Sequence, residues 1–206
     1  MRLHHVPTSP YARVVRVFII ETGLEARVDL VETTLRDPAM PLFAINPTGR
    51  VPTLETDDGV PLCETRIVCE YLDALHGGAP LIGGSGAAGE ARSQFEAFAT
   101  GFMDGAAVWA RELRKGPSCH APIVEWERTR ATHCVDWFDD AARAPLLARP
   151  VSYGQIMLGC ALAYVGMRLP DFDWRGSRAR LAEWFDAFAA RPSMKRGIKN
   201  IDIVPK

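Results

Sequence analysis

The sequence contains no apolar run that approaches the roughly 20 residues of a membrane-spanning helix. It begins without the basic and then apolar pattern of a secretory signal, so we expect a cytoplasmic protein. It also lacks an excess of charge of one sign, because 24 Lys and Arg against 25 Asp and Glu leave a net charge of −1. Balanced charge argues against nucleic acid or a membrane surface as a partner.

Cysteine is sparse and follows no pairing pattern. The five cysteines are odd in number, and no two of them form a Cys-x-x-Cys pair. This pattern argues against a disulfide framework, a zinc site and a thioredoxin-type redox pair. His4 and His5 have no further metal ligands beside them in the sequence, and one of them fits a buried, hydrogen-bonded histidine. We therefore expect no metal and no redox cofactor.

The order of secondary-structure signals divides the 206 residues into two domains. Short strand and helix signals alternate over residues 1–77, which predicts an α/β domain. Residues 78–86 are rich in glycine and form the predicted linker. Over residues 87–206 the strand signals stop and helical stripes take over, which predicts an all-α helical bundle. The first domain is predicted to contain strands at 2–6, 27–31, 53–55 and 60–62 and helices at 10–22, 41–45 and 66–76.

The helical half carries its own boundary signals. Ser152 followed by Gln155 is a capping box, and it starts a nearly all-apolar helix that we expect at the centre of the domain. Other helices are predicted from the periodic apolar residues of 95–113, 123–142 and 181–188. Residues 192–206 are predicted to form a short helix and an ordered tail.

The stretch Asn46–Thr65 concentrates turn and ligand-binding chemistry. Pro52 cannot donate a hydrogen bond to a strand, so it marks a strand start or a bend, and the Val51–Pro52 bond is a candidate for the cis isomer. The edge at Val51 is then left without a partner strand. Glu64 ends the second strand of a hairpin, and Thr65 is the predicted N-cap of the next helix, where free backbone N–H groups favour an anion.

Two motifs of this stretch resemble the glutathione-binding half of the cytosolic glutathione transferases. They read Asn-Pro-x-Gly-x-Val-Pro-x-Leu and Glu-Thr-x-x-Ile-x-x-Tyr-Leu. Together with Ser9-Pro10-Tyr11 near the N-terminus, they are most similar to bacterial, serine-type members. The resemblance implies a thioredoxin-like domain followed by a helical domain, with glutathione as co-substrate and a homodimer as the usual assembly.

The resemblance also implies roles for individual residues. Ser9 would stabilise the glutathione thiolate, Val51 would pair with the cysteinyl backbone, and Glu64 would bind the γ-glutamyl ammonium. Thr65 would bind the γ-glutamyl carboxylate, and Arg50 the glycyl carboxylate. Plainer interpretations exist for four of these residues. Ser9 would only cap the helix, and Val51 would be a core valine. Glu64 would be a solvated charge at a strand end, and Arg50 an ordinary exposed arginine. Thr8 is an alternative source of the hydroxyl.

A second substrate would be a small, partly apolar electrophile bound between the domains. The candidate walls of its pocket are Tyr11, Phe102, Met103, Trp109 and Arg111. The predicted product is a glutathione thioether. Two alternatives remain open: a glutathione-dependent peroxidase or isomerase of the same fold, and a binding protein that has kept the fold without catalysis.

Overall fold

The computed structural model describes residues 1–84, 86–148 and 150–197. The chain divides into two compact units. Among the described residues, one comprises Met1–Ile82 together with residues 192–197, and the other comprises Gly83–Arg191. The predicted combination of an α/β domain and a helical domain is therefore confirmed, and residues 192–197 belong to the first unit.

The first unit is built on a four-stranded sheet with the order β2-β1-β3-β4. The strands are β1 (Arg2–His5), β2 (Asp29–Glu32), β3 (Thr53–Glu55) and β4 (Pro61–Cys63). Strands β1 and β2 run parallel, and β3 is antiparallel to both β1 and β4. The helices are α1 (Pro10–Glu21) and α2 (Thr65–Asp73), with short 3-10 turns at Glu25–Arg27 and Pro41–Ala44. This order matches the thioredoxin-like arrangement that the sequence predicts.

The core of this unit lies where α1 and α2 pack on the sheet. Leu3 and Leu54 from neighbouring strands are fully buried, as are Val14 and Phe18 of α1 and Leu72 of α2. Burying one such side chain contributes about 1.5–3 kcal/mol, so these residues hold both helices against the strands.

Helix α2 ends earlier than predicted, at Asp73 and not at residue 76. The Asp73 carboxylate accepts hydrogen bonds from the backbone N–H groups of Leu81 at 2.9 Å and Ile82 at 3.1 Å. It also lies 2.9 Å from Nε2 of His76. These contacts hold the following segment back against the helix end, and the periodic pattern does not reveal them.

Every regular element among the described residues of the second unit is a helix. Its helices are α3 (Gly86–Leu113), α4 (Ala121–Asp139), α5 (Ala144–Leu147), α6 (Tyr153–Arg168) and α7 (Ala179–Ala189). Ser152 caps α6, because its Oγ accepts from the backbone N–H of Gln155 at 3.4 Å. The Gln155 side chain donates to the carbonyls of Leu146 and Leu147, so it also ties α6 to the end of α5. Most of α6 is buried, as expected for the centre of this unit.

The chain returns to the first unit at α8 (Pro192–Arg196). Arg13 of α1 donates to the carbonyl of Met194 at 3.3 Å, and Ser193 donates to the carboxylate of Glu21. The predicted boundary, which assigned residues 87–206 to the helical domain, therefore differs from the structure at this end. The predicted ordered tail falls beyond Gly197, outside the described residues. Among the helices of the described residues, none is both long enough and apolar enough to span a membrane.

Candidate functional site

Strand register brings three separate stretches to one end of the sheet. Thr53 of β3 pairs with His4 of β1 on one side and with Cys63 of β4 on the other. The residues that follow β1, precede β3 and follow β4 therefore leave the sheet at the same end. Ser9 follows β1, Val51 precedes β3 and Glu64 follows β4. The sheet topology therefore brings three of the predicted glutathione contacts to one end of the sheet.

Ser9 lies at the start of α1, as predicted. Its backbone is extended, with φ −73° and ψ 120°, and its Oγ accepts from the N–H of Ala12 at 3.2 Å. Pro10 occupies the first turn, where its missing N–H costs nothing. A hydroxyl that accepts one bond still has a hydrogen to donate. In the described part of the chain that hydrogen has no acceptor, so capping leaves the Ser9 hydroxyl free to bind a ligand.

Val51 presents an unpaired backbone edge. The Val51–Pro52 peptide bond is cis, and Val51 is half-buried just before β3. Within the described residues, neither the N–H nor the C=O of Val51 makes a hydrogen bond. An extended peptide can pair with such an edge as an added strand does.

Asn46 organises the loop that leads to this edge, a role that sequence reasoning missed. Its side chain is 1% exposed and uses both of its ends. Nδ2 donates to Thr53 Oγ1 at 2.8 Å and to the Arg50 carbonyl at 3.2 Å, while Oδ1 accepts from the backbone N–H of Thr48 at 2.9 Å. The Arg50 side chain is exposed. The signal for this role was the Asn that opens the Asn-Pro-x-Gly turn, because buried asparagine side chains commonly replace backbone hydrogen bonds in turns.

Glu64, and not Thr65, is the N-cap of α2, which corrects the sequence prediction. Glu64 adopts φ 76°, and its Oε2 accepts from the Arg66 N–H at 2.9 Å. Thr65 is the first helical residue and is 3% exposed. A positive φ is strained for glutamate, and strain of this kind concentrates at functional sites. The exposed carboxylate of Glu64 and the first N–H groups of α2 thus meet at one corner.

The five candidates for a second-substrate pocket divide by burial. Phe102, Met103 and Trp109 are at most 2% exposed and belong to the core of the helical unit. The Phe102 ring lies 6.4 Å from that of Phe138, and Trp109 lies 5.3 Å from Phe172. Burial therefore rules against these three as pocket walls.

The other two candidates keep solvent access. Tyr11 of α1 is half-buried, and Arg111 of α3 is exposed. They belong to different units of the chain.

Two further features of the first unit lie apart from these contacts. A cavity of about 470 Å³ beside β2 is lined by residues that include His5, Arg16 and Leu30, but by none of the predicted glutathione contacts. Burial lowers the pKa of His5 most, and the charge of the Arg16 guanidinium lowers it further. Its Nδ1 lies 3.1 Å from Arg16 NH1, so His5 is the buried, hydrogen-bonded histidine that the sequence suggested.

Across residues 1–84, 86–148 and 150–197, no group of three or more His, Cys, Asp or Glu is placed to hold a metal ion.

Comparison with known proteins gives consistent similarities. Residues 3–80 match the family model of the glutathione S-transferase N-terminal domain. A glutathione transferase family member from Pseudomonas fluorescens Pf-5, solved with bound glutathione, is 34% identical with a TM-score of 0.88, and the match covers 95% of this chain and 97% of that one. The same organism's protein with bound S-(propanoic acid)-glutathione gives 34% identity and a TM-score of 0.86, over 96% and 98% of the two chains.

A curated relative extends the similarity beyond bacteria. Glutathione S-transferase 2 of Saccharomyces cerevisiae is 27% identical over 216 residues, which cover 95% of this chain and 88% of that protein.

Proposed function

Because the chain belongs to the cytosolic glutathione S-transferase superfamily, we propose that it is a glutathione transferase. It binds glutathione at one end of its sheet and activates the thiol for attack on a small, partly apolar electrophile. The proposal requires no metal and no redox cofactor. We place the activity in the cytoplasm.

The unpaired backbone edge at Val51 carries this proposal. Glutathione is a tripeptide, and the N–H and C=O of its cysteinyl residue can pair with the C=O and N–H of Val51. Such pairing sets the cysteinyl sulfur near the start of α1, because Ser9 and Val51 leave the sheet at the same end. Glu64 and the first N–H groups of α2 then receive the γ-glutamyl ammonium and carboxylate, and Arg50 receives the glycyl carboxylate.

Ser9 supplies the activation. A free thiol has a pKa of about 8.5, so only a few per cent is thiolate at neutral pH. A hydrogen bond from the Ser9 hydroxyl and the positive end of the α1 dipole both favour the thiolate. Lowering the thiol pKa by about 2 units requires about 2.7 kcal/mol, which these two effects can supply together.

The chemical step forms one carbon–sulfur bond. The thiol proton passes to solvent, the thiolate electron pair attacks the electrophilic carbon, and a leaving group departs with the displaced pair. In an addition, the carbon next to the attacked one takes up a proton instead. The Pseudomonas fluorescens relative with bound S-(propanoic acid)-glutathione carries a glutathione thioether, which supports this class of product.

We also propose a homodimer as the working assembly. Ile67 of α2 is 48% exposed and Phe98 of α3 is 39% exposed, and both are large apolar side chains. A contact between two copies would remove these surfaces from water. Charged variants at both positions, such as I67E and F98E, should shift the mass measured by light scattering from dimer to monomer.

A thiolate titration tests the proposed activation. The protein is saturated with glutathione, and thiolate absorbance is followed against pH for the wild type and for S9A. We expect a lowered thiol pKa in the wild type that returns toward the free value in S9A. S9T, which retains a hydroxyl, serves as the matched control, and T8A tests the alternative hydroxyl.

Turnover assays then separate the candidate functions. Conjugation of an aryl halide that is lost in S9A supports the transferase. If the protein reduces a hydroperoxide or isomerises a double bond faster than it conjugates the aryl halide, the assignment would move to that reaction at the same site. Glutathione binding without any lowering of the thiol pKa would overturn the mechanism and indicate a binding protein.

A further inference from the structure

The cavity beside β2 lies within the first unit, and its lining comes from α1, β2 and α8. Its volume of about 470 Å³ falls within the range of roughly 300–1,000 Å³ that is typical of small-molecule sites. Such sites combine mostly apolar walls with a few polar groups. The apolar lining residues here are Pro7, Ile19, Ile20, Val28 and Leu30.

Leu30 presents uncovered apolar surface to this cavity. Strand register pairs Leu30 with Leu3 of β1, so the two side chains lie on the same face of the sheet. Leu3 is fully buried, whereas Leu30 is 54% exposed. Because burying apolar surface contributes about 25 cal/mol per Å², an apolar molecule in the cavity would be stabilised by covering Leu30.

Two buried polar side chains line the same cavity. His5 is 7% exposed and Arg16 is 6% exposed. Arg16 NH2 donates to the Pro7 carbonyl at 3.2 Å, and Arg16 NH1 lies 3.1 Å from His5 Nδ1. A guanidinium can only donate, so Nδ1 accepts, and the proton of the neutral imidazole is on Nε2. Both side chains are therefore hydrogen-bond donors, which suits a ligand that carries an acceptor.

The charges that line the cavity balance one another. Arg196 NH2 lies 2.7 Å from Glu25 Oε1, and this ion pair joins α8 to the 3-10 turn that follows α1. The other two charged lining residues are Arg16 and Glu32, which have opposite signs. An anionic ligand would face the Glu32 carboxylate, and a cationic ligand would face the buried Arg16 guanidinium. The lining therefore favours a neutral ligand.

The contact between His5 and Arg16 explains why these two side chains are buried, since each satisfies the other. It does not explain a cavity of this size beside them, because protein interiors contain few voids larger than a water molecule. It also does not explain why a leucine on the core face of the sheet is half exposed there.

We propose that this cavity binds a small neutral molecule that has an apolar body and one carbonyl group. The apolar body would pack on Ile19, Ile20 and Leu30, and the carbonyl oxygen would accept from the donors of the wall that His5 and Arg16 form. The site goes beyond the proposed transferase function, because it requires neither glutathione nor Ser9.

Methyl NMR of the full-length protein tests this site. The probes are benzylacetone, which is a neutral ketone, and hydrocinnamate, in which a carboxylate of similar size replaces the ketone. We expect benzylacetone to cause saturable shifts of the methyl signals of Ile19, Ile20, Val28 and Leu30, and to bind at least severalfold more tightly than hydrocinnamate. The absence of saturable shifts at these methyl groups would overturn the site. Tighter binding of hydrocinnamate would overturn the assignment of a neutral ligand.

Two variants test the cavity wall. L30W extends a larger side chain from a lining residue, so it should abolish the shifts of Ile19 and Ile20. The matched control is V60W, because Val60 is 52% exposed and does not line the cavity. Equal binding of benzylacetone by L30W and V60W would overturn the location.

H5F keeps a ring of similar shape but removes the imidazole donor, so it should weaken benzylacetone binding severalfold, the effect of losing one hydrogen bond. Unchanged binding in H5F would overturn the role of His5 as a donor. If a variant fails to fold, the wild-type shifts and the comparison of the two probes still decide the proposal.

Discussion

Asn46 donates a 2.8 Å hydrogen bond from its buried side-chain amide to the hydroxyl of Thr53, the first residue of β3. The Thr53 hydroxyl in turn donates to the Arg50 carbonyl at 2.8 Å. These two bonds span the loop that contains Val51, so they determine where the open backbone edge points. A side chain outside any strand thus shapes the predicted glutathione contact.

The first prediction concerns this pair. T53V removes the hydroxyl and leaves the Asn46 amide short of a buried partner, which costs about 1–3 kcal/mol. T53S retains the hydroxyl and should cost less. Urea denaturation gives the free energy of unfolding, and calorimetry gives the glutathione affinity, which we expect to fall in T53V more than in T53S. A loss in T53V no larger than that in T53S would mean that the Thr53 hydroxyl does not carry the effect.

The second prediction separates strain from ligand binding at Glu64. E64G and E64A both remove the carboxylate that caps α2 and is proposed to bind the γ-glutamyl ammonium. Only glycine relieves the positive φ, so E64G should be the more stable variant by about 1 kcal/mol in urea denaturation. Glutathione affinity should fall in both variants by a similar factor. Wild-type affinity in either variant would remove Glu64 from the proposed site.

The third prediction is a pH dependence at Glu55. Its carboxylate lies 2.5 Å from Nε2 of His4 and 2.9 Å from NH2 of Arg2. The hydrogen bond with His4, followed by the charge of Arg2, lowers the Glu55 pKa despite an opposing contribution from burial. Folding therefore favours the ionised form, so the stabilisation is present above the unfolded-state pKa of about 4.3 and disappears as the pH falls through the lower folded-state value.

The measurement compares E55Q with the wild type by urea denaturation between neutral and acidic pH. E55Q should be less stable by about 1 kcal/mol at pH 7, and the difference should vanish in acid. E70Q is the matched control, because Glu70 pairs with Arg66 on an exposed helix face and should matter by less than about 0.5 kcal/mol. A difference for E55Q that stays constant with pH would contradict the ionic contribution.

The fourth prediction compares two glycines of α6. A Cβ on Gly154 would lie 2.6 Å from Cδ1 of Phe95, whereas a Cβ on Gly166 would meet nothing within 4 Å. G154A should therefore destabilise the helical unit by about 1–3 kcal/mol through overpacking. G166A should stabilise it by about 0.4–1 kcal/mol through the higher helix propensity of alanine. Thermal unfolding of the two variants checks the opposite signs, and a stabilising G154A would contradict the close contact between α3 and α6.

Local signals in the sequence were sufficient to predict where several helices and turns begin and end. Ser9 starts α1 because its hydroxyl accepts a hydrogen bond from a backbone N–H of the first turn. Pro10 fits the first helical position because it has no N–H that needs a partner. The hairpin turn at Asp57-Asp58-Gly59 is likewise local chemistry, and Gly59 adopts the positive φ of 76° that this turn type favours. Ser152 caps α6 for the same reason. The similarity of the motifs around Pro52 to one family then identified the fold of the whole chain.

Features that depend on distant contacts were decided only by the tertiary structure. Strand register, set by β1, β3 and β4, brings Ser9, Val51 and Glu64 to one end of the sheet. The same periodic apolar pattern fits a core stripe or a pocket wall, so only packing could bury Phe102, Met103 and Trp109. The position of α8 depends on hydrogen bonds with Arg13 and Glu21, which lie far from that helix in the sequence. The sequence by itself determined which residues can cap, turn and bind, while long-range packing decided which of them meet.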